Sequence, residues 1–463
     1  MEKNLKPYNN KLKSICSEMQ FTGYAESWLE KLISIPTLSQ IKGQSHILRS
    51  YLSDTIAPLL KDTGFAQIIY DNPIEGAPPF LIAKREESEN LPTILIYGHG
   101  DVIRAQESSW HQGLCPFVTS KRDGVIYGRG TADNKGQHLI NLLAIQAVLK
   151  LKGQLGFNVI FLLEMGEEVG SPGLATFCKI QKDNLSADVL IASDGPRLRV
   201  DTPTVFLGSR GVLNFGLEVN LRDRALHSGN WGGVVPDPAI RLSQAIASIT
   251  SAQGQILIAG WRPDSLTPKI RDIIARLPPI ENQLEFIDLS WGEKGLSPNE
   301  RLFGWNSFSV LAMEAGAPEN PINAIAGSAR ATCQLRYVIG TNTENIIPAL
   351  EKHLYFNDFR DVNVHTSKGI SHSASRQNPD NIWVKRILKS LEKRAGRSPH
   401  LLPNLAGSLP NDCFADVLGL ATIWIPHSYM KCSQHAPNEH IPERLFHEAI
   451  DLMAHVFNDL EAC

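Results

Sequence analysis

Three observations predict an α/β protein with an inserted α+β domain. Strand-like and helix-like segments alternate over residues 92–192, the texture changes past residue 200, and the first texture returns from about 373. The expected layout is a mostly parallel sheet domain at 1–205 and 371–463, interrupted by an α+β domain at 206–370.

Residues 21–65 carry helical apolar spacing, at Leu29, Leu32 and Ile33 and again at Leu48, Tyr51, Leu52 and Ile56. Pro92–Val102 contains an apolar run, as a strand buried on both faces would. Asn134–Lys152 has the length of a core helix and ends at Gly153, suited to a left-handed cap. Phe157–Met165 and Ala187–Ala192 repeat the buried strand, and Pro172–Gln181 can start a helix with proline in its first turn. This succession implies right-handed crossovers and helices on both faces of the sheet. Farther on, Val212–Val219 partly alternates and residues 236–250 look helical. Residues 251–320 are mixed. Ala329–Val338 alternates cleanly, with Ala329, Ala331, Cys333, Leu335 and Tyr337 on one face. Thr343–Leu354 reads as helix and Val362–His365 as strand. A helix, a loop, the strand Ala421–Ile425 and a last helix complete the chain.

Composition narrows the function. With 45 Lys and Arg against 48 Asp and Glu, the net charge of −3 provides no basic stripe for nucleic acid and no polybasic membrane anchor. No run of 18 apolar residues occurs, and the polar start MEKNLKPYNNKLKS lacks the apolar stretch of a secretory signal. Seven scattered cysteines, without a C-x-x-C pair, argue against a disulfide framework, so a reducing cytoplasm is the expected location. No G-x-S-x-G elbow supports a serine hydrolase.

The informative residues sit at strand ends. His99 and Asp101 close the first strand, Asp133 precedes the long helix, Glu167 and Glu168 follow the second strand, and Asp194 follows the third. Ligands of open α/β sheets bind outside the carboxyl ends of the strands. A lone histidine or aspartate there is more often a turn residue or a helix cap. The joint pattern carries the weight, because acids converging in one crevice repel unless a cation is present. Mixed histidine and carboxylate donors suit Zn²⁺, with Mn²⁺ or Co²⁺ as alternatives.

Six motifs carry a resemblance: GHGDVI (98–103), YGRGTADNKG (127–136), LLEMGEEVGSPG (162–173), ASDG (192–195), LHSGNWGG (226–233) and HAPNE (435–439). In this order they resemble the dinuclear zinc metallopeptidase and aminoacylase superfamily. It contains carboxypeptidase G, carnosinase-type dipeptidases, acetylornithine deacetylase and succinyl-diaminopimelate desuccinylase. The resemblance implies a zinc-binding catalytic domain and an inserted lid that dimerises. It implies that His99 and Asp194 hold one metal, Glu168 and His435 the other, and that Asp133 bridges both. Glu167 would be the general base and Asp101 would orient the His99 imidazole. His227 would stabilise the oxyanion of a neighbouring subunit's site, and Arg336 would pair with a substrate carboxylate. Asn323 and Ser408 fall in segments that resemble substrate-contacting positions, although NLAGS (404–408) departs from the doubled glycine of some dipeptidases. The family often has a cis peptide after the bridging aspartate, a point the sequence leaves open.

The expected activity is hydrolysis of the amide bond of small peptides, as a dipeptidase or carboxypeptidase, by water activated at two divalent metals. The long insertion favours this over an N-acyl-amino-acid deacylase, which the same site could also serve. An inactive binding or scaffold protein on this fold is the remote alternative. The expected partners are a small peptide or N-acyl amino acid and a second copy of the chain, with neither nucleic acid nor membrane.

Overall fold

The structure is a computed structural model and describes residues 2–280, 287–366 and 372–461. Strands β1 (Ala66–Tyr70), β2 (Phe80–Arg85), β3 (Thr93–His99), β4 (Asn158–Glu164), β5 (Val189–Ala192) and β6 (Thr204–Phe206) come first. Strands β7 (Gly211–Asn220), β8 (Ser307–Ala315), β9 (Ser328–Tyr337) and β10 (Val362–Thr366) follow, then β11 (His400–Leu402) and β12 (Ala421–Trp424). The chain divides into two compact units. One comprises Met1–Gly208, Gln377–Leu402 and Pro410–Cys463; the other comprises Ser209–Arg376 and Pro403–Leu409.

In the first unit eight strands form one sheet in the order β1-β2-β4-β3-β5-β12-β6-β11. The central four, β4-β3-β5-β12, are parallel, and antiparallel pairings bring in β2 and β1 on one side and β6 on the other. Every residue of β4 and β5 is buried, which explains why these strands read as unbroken apolar runs. One face is covered by the helices Lys135–Lys152 and Glu443–Leu460, packed on each other and on the helix Glu2–Phe21. Gly153 caps the first of these at φ 75°, its amide bonding to the Leu149 carbonyl. The other face carries stacked Phe80 and Phe177, and Tyr97 edge-on to Phe414 and Trp424. The helix Glu2–Phe21 went unanticipated because its first half is polar and shows no apolar stripe to an eye seeking periodicity.

In the second unit four antiparallel strands run β8-β9-β7-β10. Burial alternates along β9, so Ala329, Ala331, Cys333, Leu335 and Tyr337 face a core shared with Leu242, Ala245, Trp261, Ile346 and Leu350. Helix Pro238–Ile249 starts where Asp237 accepts from the Ala239 and Ile240 amides. Strand β8 lies at a sheet edge, with Val310, Leu311 and Met313 exposed and a register shift between Val310 and Ala312. The texture of the sequence put the borders a few residues away, at 205 and 370, and assigned 403–409 to the other unit. That excursion has no compositional signature. It is held by hydrogen bonds from arginines distant in sequence.

Candidate metal centre

The glycines of GHGD are set by close approach. A Cβ on Gly98 would lie 2.6 Å from the His138 Cβ, and one on Gly100 would lie 2.5 Å from the Tyr51 ring. The chain passes between these groups and leaves His99 and Asp101 fully buried at the end of β3. The Asp101 carboxylate lies 3.3 Å from His99 Nδ1 and accepts from the amides of Glu167 and Glu168, each at 3.1 Å. It therefore fixes the imidazole and the Glu167–Glu168 turn together, the second of which the sequence did not reveal.

The loop before helix Lys135–Lys152 is held from the far end of the chain. Glu439 accepts from the amides of Gly130, Ala132 and Asp133 at 2.9–3.0 Å, and from Arg129 Nη1 at 2.7 Å. Both members of that ion pair are 1% exposed. Arg129 also donates to the Ala436 carbonyl, next to His435. The Asp133–Asn134 peptide is cis. The Asn134 side chain donates to the Ser193 carbonyl at 2.8 Å and accepts from the His99 amide at 3.4 Å, joining three segments at the carboxyl ends of the central strands.

These supports produce two donor sets that share one residue. His99, Asp133 and Asp194 form the first; Asp133, Glu168 and His435 form the second. His99 Nε2 lies 3.1 Å from Asp133 and 3.7 Å from Asp194. His435 Nε2 lies 3.1 Å from the other Asp133 oxygen and 3.0 Å from Glu168. The Glu167 carboxylate stands 4.0 Å from His99 Nε2. His435 has φ 59°, an uncommon conformation for a side-chain-bearing residue.

The electrostatics call for a cation. Burial and neighbouring acids push Glu167 well up, Glu168 to about 7 and Asp194 to about 6. Hydrogen bonds from the two imidazoles hold Asp133 down despite its burial, and bonds to Asp133 and Glu168 raise His435 to about 11. Among the described residues no lysine or arginine pairs with Asp133, Glu167, Glu168 or Asp194. Two imidazoles and two further carboxylates around a shared aspartate fit a pair of divalent ions, since only a cation relieves all the acids at once. A third cluster, Glu26, Glu443 and His447, already holds the Lys121 ammonium against both glutamates.

The other four anticipated residues lie in the second unit, as two pairs. His227 is exposed, its Nδ1 accepts from the Gly229 amide, and the Asn323 carbonyl accepts from the Ser228 amide beside it. Arg336 Nη1 donates to Ser408 Oγ at 3.1 Å.

Residues 95–459 match the family described as Peptidase family M20/M25/M40. The chain belongs to this family. Among relatives of this M20 chain, the rat Beta-Ala-His dipeptidase is 36% identical over 186 residues, 40% of this chain and 37% of that enzyme. The alignment thus spans little more than a third of the relative's length. The Cysteinylglycine-S-conjugate dipeptidase of Corynebacterium striatum is 26% identical over 340 residues, 71% of this chain and 72% of that enzyme. The crystal structure of an M20 family metallo-carboxypeptidase from Sulfolobus solfataricus superposes with a TM-score of 0.81 at 26% identity, covering 95% of this chain and 99% of that one. The M20 membership agrees with the motif resemblance. Among the described residues, no helix is long and apolar enough to cross a membrane.

Proposed function

We propose that this M20 chain is a metal-dependent hydrolase that cleaves the amide bond of small peptides, as a dipeptidase or a carboxypeptidase. The observation that carries this reading is the pair of donor sets sharing Asp133, with Glu167 beside them. His99, Asp133 and Asp194 would hold one divalent ion, and Asp133, Glu168 and His435 the second. Zinc is the first choice, with manganese or cobalt as alternatives for the same nitrogen and oxygen donors. When bound, such a pair supplies Lewis acidity and makes water at the site easier to deprotonate.

The protein's own residues do the rest. Asp101 keeps the His99 ring and the Glu167 backbone in place. Glu167, raised by burial, is suited to take a proton from water and hand it to the leaving amine. His227 would donate to the developing oxyanion from a second copy, and Arg336 would face the substrate carboxylate. Asn323 and Ser408 would hold these two in position. The exposed edge strand β8, with Val310, Leu311 and Met313, supports a homodimer formed through the second unit. The six described cysteines are all free, which supports a cytoplasmic location.

The test is amine release from dipeptides, longer peptides and N-acyl amino acids with Zn²⁺, Mn²⁺ or Co²⁺, beside Glu167→Ala. Dipeptide cleavage that falls by about three or more orders of magnitude in the variant, with metal content kept, is expected. Cleavage of acyl amino acids alone transfers the chain to the deacylases. Silence on every substrate with two metals bound leaves the binding-protein reading. Sedimentation of Leu311→Lys gives the companion result: a monomer with little activity is expected, and a fully active monomer removes His227 from the site.

A further inference from the structure

The helix Lys135–Lys152 is buried from Lys135 to Ile145, yet its core face carries amides. Asn134 at its start, Gln137 and Asn141 stand three and four positions apart, so they share one face, and all three are fully buried. Each donates to the same short segment. Asn134 Nδ2 bonds to the Ser193 carbonyl at 2.8 Å, Gln137 Nε2 to the Gly195 carbonyl at 3.3 Å, and Asn141 Nδ2 to Ser193 Oγ at 2.9 Å. Asp194 lies between these anchors, and its carboxylate accepts from the Gly195 amide at 2.6 Å. The stripe also reaches the other two members of the first donor set. Asn134 Oδ1 accepts from the His99 amide, and Gln137 Nε2 donates to the Ala132 carbonyl, next to Asp133, at 2.8 Å.

The second donor set is supported from elsewhere. The Glu168 amide bonds to Asp101, the Glu168 carbonyl accepts from Gln40 Nε2 at 3.4 Å, and Arg129 holds the residue beside His435. Among the described residues the stripe makes no hydrogen bond to Glu168 or His435. The choice of amides has a physical reason. A lysine or arginine could make the same bonds, but its charge would pair with Asp133 and Asp194 and compete with a bound ion. An amide donates without net charge, so it fixes the acids and leaves their charge for a cation.

We propose that Asn134, Gln137 and Asn141 are positioning residues that set Asp194 against His99 and Asp133, and so govern the affinity of one ion of the pair. The inference rests on the two-metal reading above and deepens it: the shared centre consists of two separately supported halves. Gln137 is the test position, because it alone bonds to both the Asp133 loop and the Asp194 segment and is not adjacent to a ligand.

The experiment is calorimetric titration of the metal-free protein with Zn²⁺. Wild type is expected to bind two ions. Gln137→Met should weaken one of them by about tenfold or more and leave the other within about threefold. Asn141→Leu, which removes a single bond, should weaken the same ion by about threefold. Gln146→Met, on the same helix but bonded to the Tyr24 hydroxyl, should match wild type. Two backgrounds identify the ion: His435→Ala lacks a donor of the second set and His99→Ala lacks one of the first. Gln137→Met should cost about tenfold in the ion kept by His435→Ala and leave the ion kept by His99→Ala within about threefold. Equal losses for both ions, unaltered affinities in both amide variants, or a loss confined to the His99→Ala background would each overturn the assignment. Fewer than two ions bound by wild type would reject the two-metal reading itself, whereas two ions with equal losses reject only the role of the amides.

Discussion

The two units bury opposite imbalances of charge. Among the described residues, the first unit gathers around Asp133 carboxylates offset by imidazoles alone, and the second gathers around Ser307 guanidinium groups with no acid partner. Neither arrangement is stable by its own electrostatics, because desolvating a charge costs several kcal/mol when no partner repays it. Such acids suit cations, and arginines without an acid partner suit an anion. The comparison teaches that a buried imbalance of charge marks what a site receives, and its sign specifies the chemistry.

The largest break in this pattern comes at the shared acid. Asp133→Asn keeps size and one acceptor oxygen but removes the charge common to both donor sets. Metal content measured by atomic absorption is expected to fall for both ions together, with activity down by about three or more orders of magnitude. Loss of a single ion, with the other retained at full affinity, would show that Asp133 is not shared.

A slightly smaller effect is expected where the first unit does balance its charge. Glu439 and Arg129 form a buried pair whose acid also collects three amides of the loop carrying Asp133. Glu439→Gln leaves the Arg129 cation without its partner, and removing one member of a buried pair costs about 3–5 kcal/mol. Urea unfolding of the metal-free protein should show that loss, and titration should show weaker metal binding. Unchanged stability and affinity would reduce Glu439 to a bystander.

These residues also show how far the sequence could be read. Strands β3, β4 and β5 were legible because both faces are buried, which leaves continuous apolar runs ending in chemically distinctive residues. Clean alternation in β9 revealed a one-sided sheet. His435 was found through its motif alone, since no local rule links it to Asp133. Glu439 stood in the same motif, yet its role depends on amides more than 300 positions away. Arg210 gave no signal either: an arginine after a short strand reads as surface, and only the fold shows it buried. Periodicity reports an element's faces, whereas partners across the chain come from tertiary packing.

His427 marks a third solution to buried polarity, the surrender of charge. It is fully buried, neither ring nitrogen has a partner among the described residues, and burial together with the neighbouring Arg197 holds it well below the usual histidine range. Its folded form is neutral, so the unfolded chain binds the extra proton once pH drops below about 6.5. The stability that depends on this neutrality is complete above that pH and is lost as pH falls toward the folded value, with a slope of at most about 1.4 kcal/mol per pH unit. His427→Phe should flatten that part of the stability profile between pH 6.5 and 5, read by urea unfolding of the metal-free protein so that metal release does not intrude. An identical slope in the variant would mean that His427 is charged where it lies. The first unit would then hold a buried imidazolium beside Arg197, whose own ion pair is with Glu448.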